Sequence, residues 1–342
     1  MRVMTVVPGD LATAGVEERP EPPPSEGSVL VEGLLLGLCG TDVEIARDGF
    51  GVPPRGATSM VLGHESLGRV VEAAGAFAVG DLVAGVVRRS CGCPACESDQ
   101  WDMCLTGEFE ELGIRRADGY GATAWRADPR FLVGLPAGLG DLGVLLEPTS
   151  VVAKAWDQVQ RIGARAYWDP QSVLITGAGP IGLLAALMGV QQGLDVHVLD
   201  RMTSGIKPSL VTDLGATYHA TMPDVKPQVV IECTGAEELI GQVVSAAAPN
   251  AVICLAGISV GRAELQQAET VIPQNRVVLQ NQVLFGTVNA GRRHHDQAAA
   301  ALAAADQEWL GRLITRRVAM GDWVSALTRS DDDVKTVIDL RG

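Results

Sequence analysis

Four cysteines crowd into a short stretch of this chain, at Cys91, Cys93, Cys96 and Cys104. Thiolates at that density fit a closed tetrahedral zinc site, which staples a loop without exposing the metal. In a reducing compartment, clustered thiols bind metal more often than they form disulfides. Upstream lies a different set of ligand types. Cys39 stands in Cys39-Gly-Thr41-Asp42, and His64 and Glu65 stand in Gly63-His-Glu65. Thiolate, imidazole and carboxylate are zinc ligands, and an open catalytic site takes three protein ligands plus water. Glu147, in Leu146-Glu-Pro-Thr-Ser150, adds a further carboxylate in a turn-like stretch. Cys233 and Cys254 lie in apolar, strand-like runs and read as buried small hydrophobes.

The stretch Gly177-Ala-Gly179-Pro180-Ile181-Gly182 has the form G-x-G-x-x-G. Alone the pattern is weak. Here it follows a short β-branched run, opens an Ala/Leu-rich stretch, and precedes an acidic residue, Asp200, at the end of the next apolar run. That context is the dinucleotide-binding fingerprint. Gly177 makes the tight turn, Gly179 lets backbone approach a pyrophosphate, and Gly182 lets helix and strand pack closely. The phosphates then sit on a helix N-terminus, where free N–H groups favour anions. Asp200 suits the adenosine ribose hydroxyls and repels a 2′-phosphate, which favours NAD. Arg201 beside it can pair with a 2′-phosphate or stack on adenine, so NADP stays open.

The elements that must position these residues read as two kinds. Up to about residue 150, short strands at Met1–Val6, Ser28–Leu36, Leu67–Glu72 and Leu82–Val87 alternate with Gly/Pro-rich turns. From about residue 156, strands at Ser172–Thr176, Asp195–Leu199, Gln228–Cys233, Ala251–Ala256 and Val283–Thr287 alternate with helical stretches, among them Leu183–Gln192. That alternation predicts a parallel sheet with helices on both faces. His294–Leu313 reads as one Ala-rich helical stretch, and Asp331–Leu340 as part of an α+β domain.

The chain has 342 residues, 47% of them hydrophobic, enough for two cored domains and too many for disorder. A formal net charge of −14 makes a poor partner for nucleic acid or anionic lipid. No apolar run reaches a membrane span, and the N-terminus lacks a signal-peptide pattern, so a cytoplasmic protein is expected. Lysine occurs only at Lys154, Lys207, Lys226 and Lys335, which reads as coding bias.

In order along the chain, Cys39-Gly-Thr-Asp42, Gly63-His-Glu-Ser-Leu-Gly68, the cysteine lobe and the Gly177–Gly182 turn resemble the zinc-dependent medium-chain alcohol dehydrogenases. Asp99-Gln-Trp-Asp-Met-Cys104, Asp118-Gly-Tyr120, Leu146-Glu-Pro-Thr-Ser-Val151, Gly286-Thr-Val-Asn289 and Asp333-Val-Lys-Thr336 narrow the likeness to the glucose 1-dehydrogenase branch, nearly end to end. The resemblance implies an α/β protein with a GroES-like β-rich catalytic domain over residues 1–155. A doubly wound Rossmann domain follows over 156–288, and the segment 289–342 returns to the catalytic domain.

It further implies that Cys39 and His64 hold a catalytic zinc, with Glu65 as a direct or water-mediated third ligand and Glu147 a fourth that exchanges with substrate. Thr41 and Glu65 are then the catalytic residues, Thr41 starting the proton relay from the reacting hydroxyl. Glu111 and Asn289 match positions that contact sugar hydroxyls, with a solvated surface carboxylate as the lesser alternative for Glu111. Thr234, Gly257-Ile258-Ser259 and Thr287-Val288-Asn289 match strand ends that border the nicotinamide. The family's lobe spacing is C-x₂-C-x₂-C-x₇-C, whereas Cys91-Gly-Cys93 is one residue shorter. Cys91 is thus the least secure ligand of a structural zinc formed with Cys93, Cys96 and Cys104. The polar stretch Gly261–Gln274 carries no family motif and is expected to loop beside the cofactor.

The activity implied is hydride transfer from an aldose C1 hydroxyl to NAD or NADP, by a homo-oligomer (a dimer or tetramer). The same chemistry on another polyol, cyclitol or sugar-like intermediate stays open, as does a nucleotide-binding protein that has lost catalysis. The full set Cys39, His64, Glu65 and Glu147 argues against the last.

Overall fold

The computed structural model describes residues 1–258 and 272–342. Ser259 and residues 261–271 of the expected cofactor-side loop lie outside the described residues. The chain forms two compact units, Met1–Glu147 with Gly291–Gly342, and Pro148–Ala290.

In the first unit, Val29–Leu38 is the central strand of a largely antiparallel sheet. It pairs with Glu65–Glu72 on one side and with Lys335–Asp339 on the other. Its sequence, VLVEGLLLGL, is buried at nearly every position, as a strand covered on both faces must be. The last strand, Lys335–Asp339, runs parallel to Ile314–Ala319. The core of this unit joins Leu36, Ile45 and Met60 to Trp323 and Ile338, so the C-terminal segment is part of it. The helical stretch expected over His294–Leu313 is two helices, Arg292–Ala303 and Gln307–Leu313. Asp306 breaks it: its side chain accepts hydrogen bonds from the Glu308 and Trp309 N–H groups and starts the second helix.

The second unit carries a six-stranded parallel sheet among the described residues. Its order is Thr217–His219, Asp195–Leu199, Ser172–Thr176, Val229–Glu232, Val252–Leu255, Val283–Gly286. The first strand in sequence, Ser172–Thr176, therefore lies mid-sheet, and the order reverses between it and Val229–Glu232. Ligands of such sheets bind outside the carboxyl ends of the strands at this reversal.

Candidate active site

Sheet adjacency assembles the first site. Cys39 follows the end of the central strand and is the N-cap of helix Gly40–Asp48. Glu65 opens the neighbouring strand opposite Gly37, and Lys335 opens the strand on the other side. Gly63, at φ +95°, turns the chain into His64, and a Cβ there would strike the Leu36 side chain. A Cβ on Gly37 would overlap the Glu65 carboxylate and press on Lys335 Cε, so only glycine leaves room for that pair.

The candidate ligand atoms of Cys39, His64 and Glu65 all lie within 4.8 Å of one another, with His64 and Glu65 buried. His64 Nδ1 is buried without a hydrogen-bond partner, and Glu65 Oε2 is buried against the Lys335 ammonium. Asp42 Oδ1 lies 3.5 Å from His64 Nδ1, which leaves Nε2 as the ring nitrogen for a metal. A carboxylate behind a ligating histidine is the usual way its ring is oriented. The other Asp42 oxygen accepts the Cys39 N–H at 2.8 Å and closes the helix cap. Thiolate, imidazole and carboxylate in this arrangement fit Zn²⁺. Burial pushes the His64 pKa down, but the adjacent Asp42 outweighs it and holds His64 well above the ordinary value.

Glu147 corrects the turn-like reading of its segment. It is the second residue of an eighteen-residue helix, Leu146–Gly163, and is 9% exposed. Burial raises its pKa to about 7, modulated by the charges of His64, Glu65, Lys335 and Asp42. It therefore shares the neighbourhood of the ligand cluster, though it is not one of the three tightly grouped atoms. Lys335, 1% exposed, forms an ion pair with Glu65 and donates to the Leu38 carbonyl at 3.2 Å. Thr41 Oγ1 is 3.9 Å from Cys39 Sγ.

Glu111 is not a solvated surface carboxylate. Its side chain is 13% exposed and pairs at 2.8 Å with Arg88, itself buried and lying over the Phe109 ring. Gly113, two residues on, packs so closely on Gly63 that a Cβ would meet the Gly63 carbonyl. Glu111 thus lies on strand Glu110–Leu112, which leads into the turn stacked on the one that carries His64.

The cysteine lobe brings all four sulfurs within 4.8 Å of one another. Sγ–Sγ separations are 3.5 Å for Cys91–Cys104, 3.8 Å for Cys91–Cys96 and 3.9 Å for Cys93–Cys104. Sulfurs bound at about 2.3 Å to one tetrahedral zinc lie about 3.8 Å apart. Gly92, at φ +82°, takes the left-handed conformation that folds the short Cys91-Gly-Cys93 link back on itself. Burial pushes Cys96 up to about 12. Cys104 comes down to about 6, because hydrogen bonds from Thr106 and Cys91 overcome its burial.

In the second unit the glycine turn leads from strand Ser172–Thr176 into helix Pro180–Gln191. Gly177 adopts φ +85°. Gly179 is the N-cap, with open space where a Cβ would stand, and Pro180 and Ile181 form the first turn. A Cβ on Gly182 would overlap the Gly177 carbonyl oxygen. Asp200 Oδ2 accepts the Ala178 N–H at 2.7 Å, and Oδ1 accepts that of Met202 at 3.0 Å. Arg201 is exposed beside it.

Thr234, Gly257 and the exposed Ile258 follow the carboxyl ends of their strands, as do Thr287, Val288 and Asn289. Thr287 Oγ1 is buried without a partner, and Asn289 adopts φ +60° with Oδ1 accepting the Ala290 N–H. Lys154, 3% exposed, donates to the Val288 carbonyl at 3.0 Å. Cys254 is buried, but Cys233 is only partly so, because it sits just past its strand's end.

A zinc-type ligand set in one unit and a dinucleotide-type turn in the other define an oxidoreductase of the alcohol dehydrogenase class. Residues 25–137 match the alcohol dehydrogenase GroES-like domain, and residues 140–340 match the glucose dehydrogenase C-terminus. Glucose 1-dehydrogenase 2 of Vulcanisaeta moutnovskia is 35% identical over 351 residues, with 99% of each chain covered. Glucose 1-dehydrogenase of Thermoproteus tenax is 35% identical over 353 residues, with 100% of each covered. Haloferax mediterranei glucose dehydrogenase, solved in complex with NADP, Zn and gluconolactone, superposes with a TM-score of 0.91 at 30% identity over the whole of both chains. The chain belongs to the glucose dehydrogenase family of zinc-dependent alcohol dehydrogenases.

Proposed function

We propose that this protein oxidises the C1 hydroxyl of an aldose, glucose foremost, to the lactone, with NAD preferred over NADP. The observation that carries the reading is the Cys39–His64–Glu65 cluster, whose candidate ligand atoms lie within 4.8 Å of one another with His64 and Glu65 buried. Three ligands of mixed type suit an open catalytic metal rather than a closed structural one. The glucose 1-dehydrogenase relatives and the NADP, Zn and gluconolactone bound to the Haloferax enzyme support the substrate and cofactor class.

Zinc, when bound, lowers the pKa of a substrate hydroxyl, and the nicotinamide accepts the hydride. The chain's own residues do the rest. Asp42 fixes the His64 ring, and Lys335 holds the Glu65 carboxylate through its ion pair. Thr41 Oγ1 accepts the proton that leaves the C1 hydroxyl and passes it towards solvent. Glu147, buried beside His64 and Glu65, would be a fourth zinc ligand that exchanges with substrate oxygen. Glu111, aligned by Arg88, and Asn289 hydrogen-bond sugar hydroxyls. Asp200 keeps lone pairs free for the ribose hydroxyls while its charge opposes a 2′-phosphate. We read the protein as cytoplasmic, the compartment that keeps a lobe of unpaired thiols reduced.

The test is a panel of aldoses, polyols and cyclitols with NAD and NADP. The highest kcat/KM is expected for glucose or a close aldose epimer with NAD. Turnover confined to a polyol or cyclitol would shift the substrate class, and no turnover with any of them would remove the dehydrogenase reading.

A further inference from the structure

One residue outside both metal clusters draws together the carboxyl ends of three strands in the second unit. Two are held through its carboxylate and the third through its main-chain carbonyl. Glu232, wholly buried, is the last residue of strand Val229–Glu232, at the point where the strand order reverses. Across the reversal it accepts the Thr176 hydroxyl at 3.0 Å, from the residue directly beside it in the sheet. On its own loop it accepts the Thr234 N–H at 2.7 Å, the Thr234 hydroxyl, and the Gly235 N–H on both oxygens, at 3.1 and 3.0 Å. Its main-chain carbonyl accepts the Ala256 and Gly257 N–H groups at 2.8 and 2.9 Å. The two loops so held lie backbone to backbone: a Cβ on Gly257 would overlap the Gly235 nitrogen.

We propose that Glu232 is a positioning residue for the nicotinamide half of the dinucleotide. The inference rests on the dinucleotide reading given above. The carboxylate holds the Thr234–Gly235 loop, on the far side of the reversal from Asp200, and the Gly257 loop packs against that loop. The adenosine side has its own anchors, the Asp200 carboxylate on the Ala178 N–H and the Leu199 carbonyl on the Gly177 N–H. Glu232 is thus needed for one half of the ligand and not for the other. A glutamine there, whichever way it is turned, faces its NH₂ group towards a backbone N–H, and the Thr234–Gly235 loop must shift.

The experiment measures binding of NADH and of ADP-ribose, which lacks the nicotinamide, to the zinc-loaded full chain. In Glu232→Gln, NADH affinity is expected to fall about tenfold while ADP-ribose affinity stays within about twofold. Should that variant not fold, Thr176→Val leaves the Glu232 bonds to its own loop and removes the hydroxyl's two bonds across the reversal, to Glu232 and from the Cys233 N–H. A loss of about threefold confined to NADH is then expected. Equal losses for both ligands would show that Glu232 merely supports the unit, and unchanged NADH binding would show that it positions nothing; either overturns the proposal. Wild type that binds neither ligand would remove the dinucleotide reading with it, whereas wild type that binds both leaves that reading standing.

Discussion

Asp200 uses one carboxylate for two purposes. It closes the glycine turn through the Ala178 N–H, and in the proposed reading its charge opposes a 2′-phosphate. Asp200→Ser should therefore lower the ratio of kcat/KM for NAD over NADP by about tenfold. A wild type that already prefers NADP would mean that Arg201 decides. The residues that chemistry names directly were legible: Cys39, His64 and Glu65 by ligand type, and Gly177–Gly182 by spacing. Lys335, Lys154 and Glu232 were not, because their meaning comes from burial and from strands that meet only in the fold. Lys335 and Glu65 are far apart in sequence yet form an ion pair. The scarcity of lysine was the available signal. Of the four in the chain, Lys154 and Lys335 are 3% and 1% exposed, which a solvated surface would not explain.

At the scale of elements, the cysteine lobe shows how a broken spacing rule is repaired. The short Cys91-Gly-Cys93 link makes Cys91 look insecure, but the left-handed Gly92 returns its sulfur to the other three. Metal analysis should give about two zinc per chain, one for each ligand cluster. Cys104→Ser should leave about one, with activity retained and Tm lower by about 5 °C. Unchanged zinc content and Tm would show that the lobe holds no metal.

Helix Arg292–Ala303 gives a pH signature of its own. His295 on it is 2% exposed, and burial lowers its pKa to about 4. The unfolded chain binds this proton more readily, so the stabilisation is complete above about pH 6.5 and is lost as pH falls towards 4. The shift corresponds to roughly 3 kcal/mol. Tm should drop over that window, and His295→Gln should flatten the slope; an equal slope in the variant would place the acid sensitivity elsewhere. The sequence showed this helix but merged it with the next, since Ala-rich periodicity runs on until Asp306 caps afresh. It missed Asp10–Glu18 as a strand because that segment lies at an exposed edge and lacks an apolar alternation.

At the scale of the molecule, the candidate zinc ligands lie in the unit Met1–Glu147 with Gly291–Gly342, and the glycine turn lies in Pro148–Ala290. The parallel sheet was readable from alternating strands and helices. The return of the C-terminus was implied only by family likeness, because no local pattern says that Lys335–Asp339 will pair with Val29–Leu38. The central claim is that the Cys39–His64–Glu65 site removes hydride from a sugar C1 and delivers it to the nicotinamide. The most direct measurement follows deuterium from [1-²H]glucose into the reduced dinucleotide, in wild type and in His64→Ala. Wild type should yield deuterated NADH and gluconolactone. His64→Ala should yield neither, while its NADH affinity stays within about tenfold of wild type. Undeuterated NADH from wild type, or deuterium transfer that survives in His64→Ala, would contradict the account.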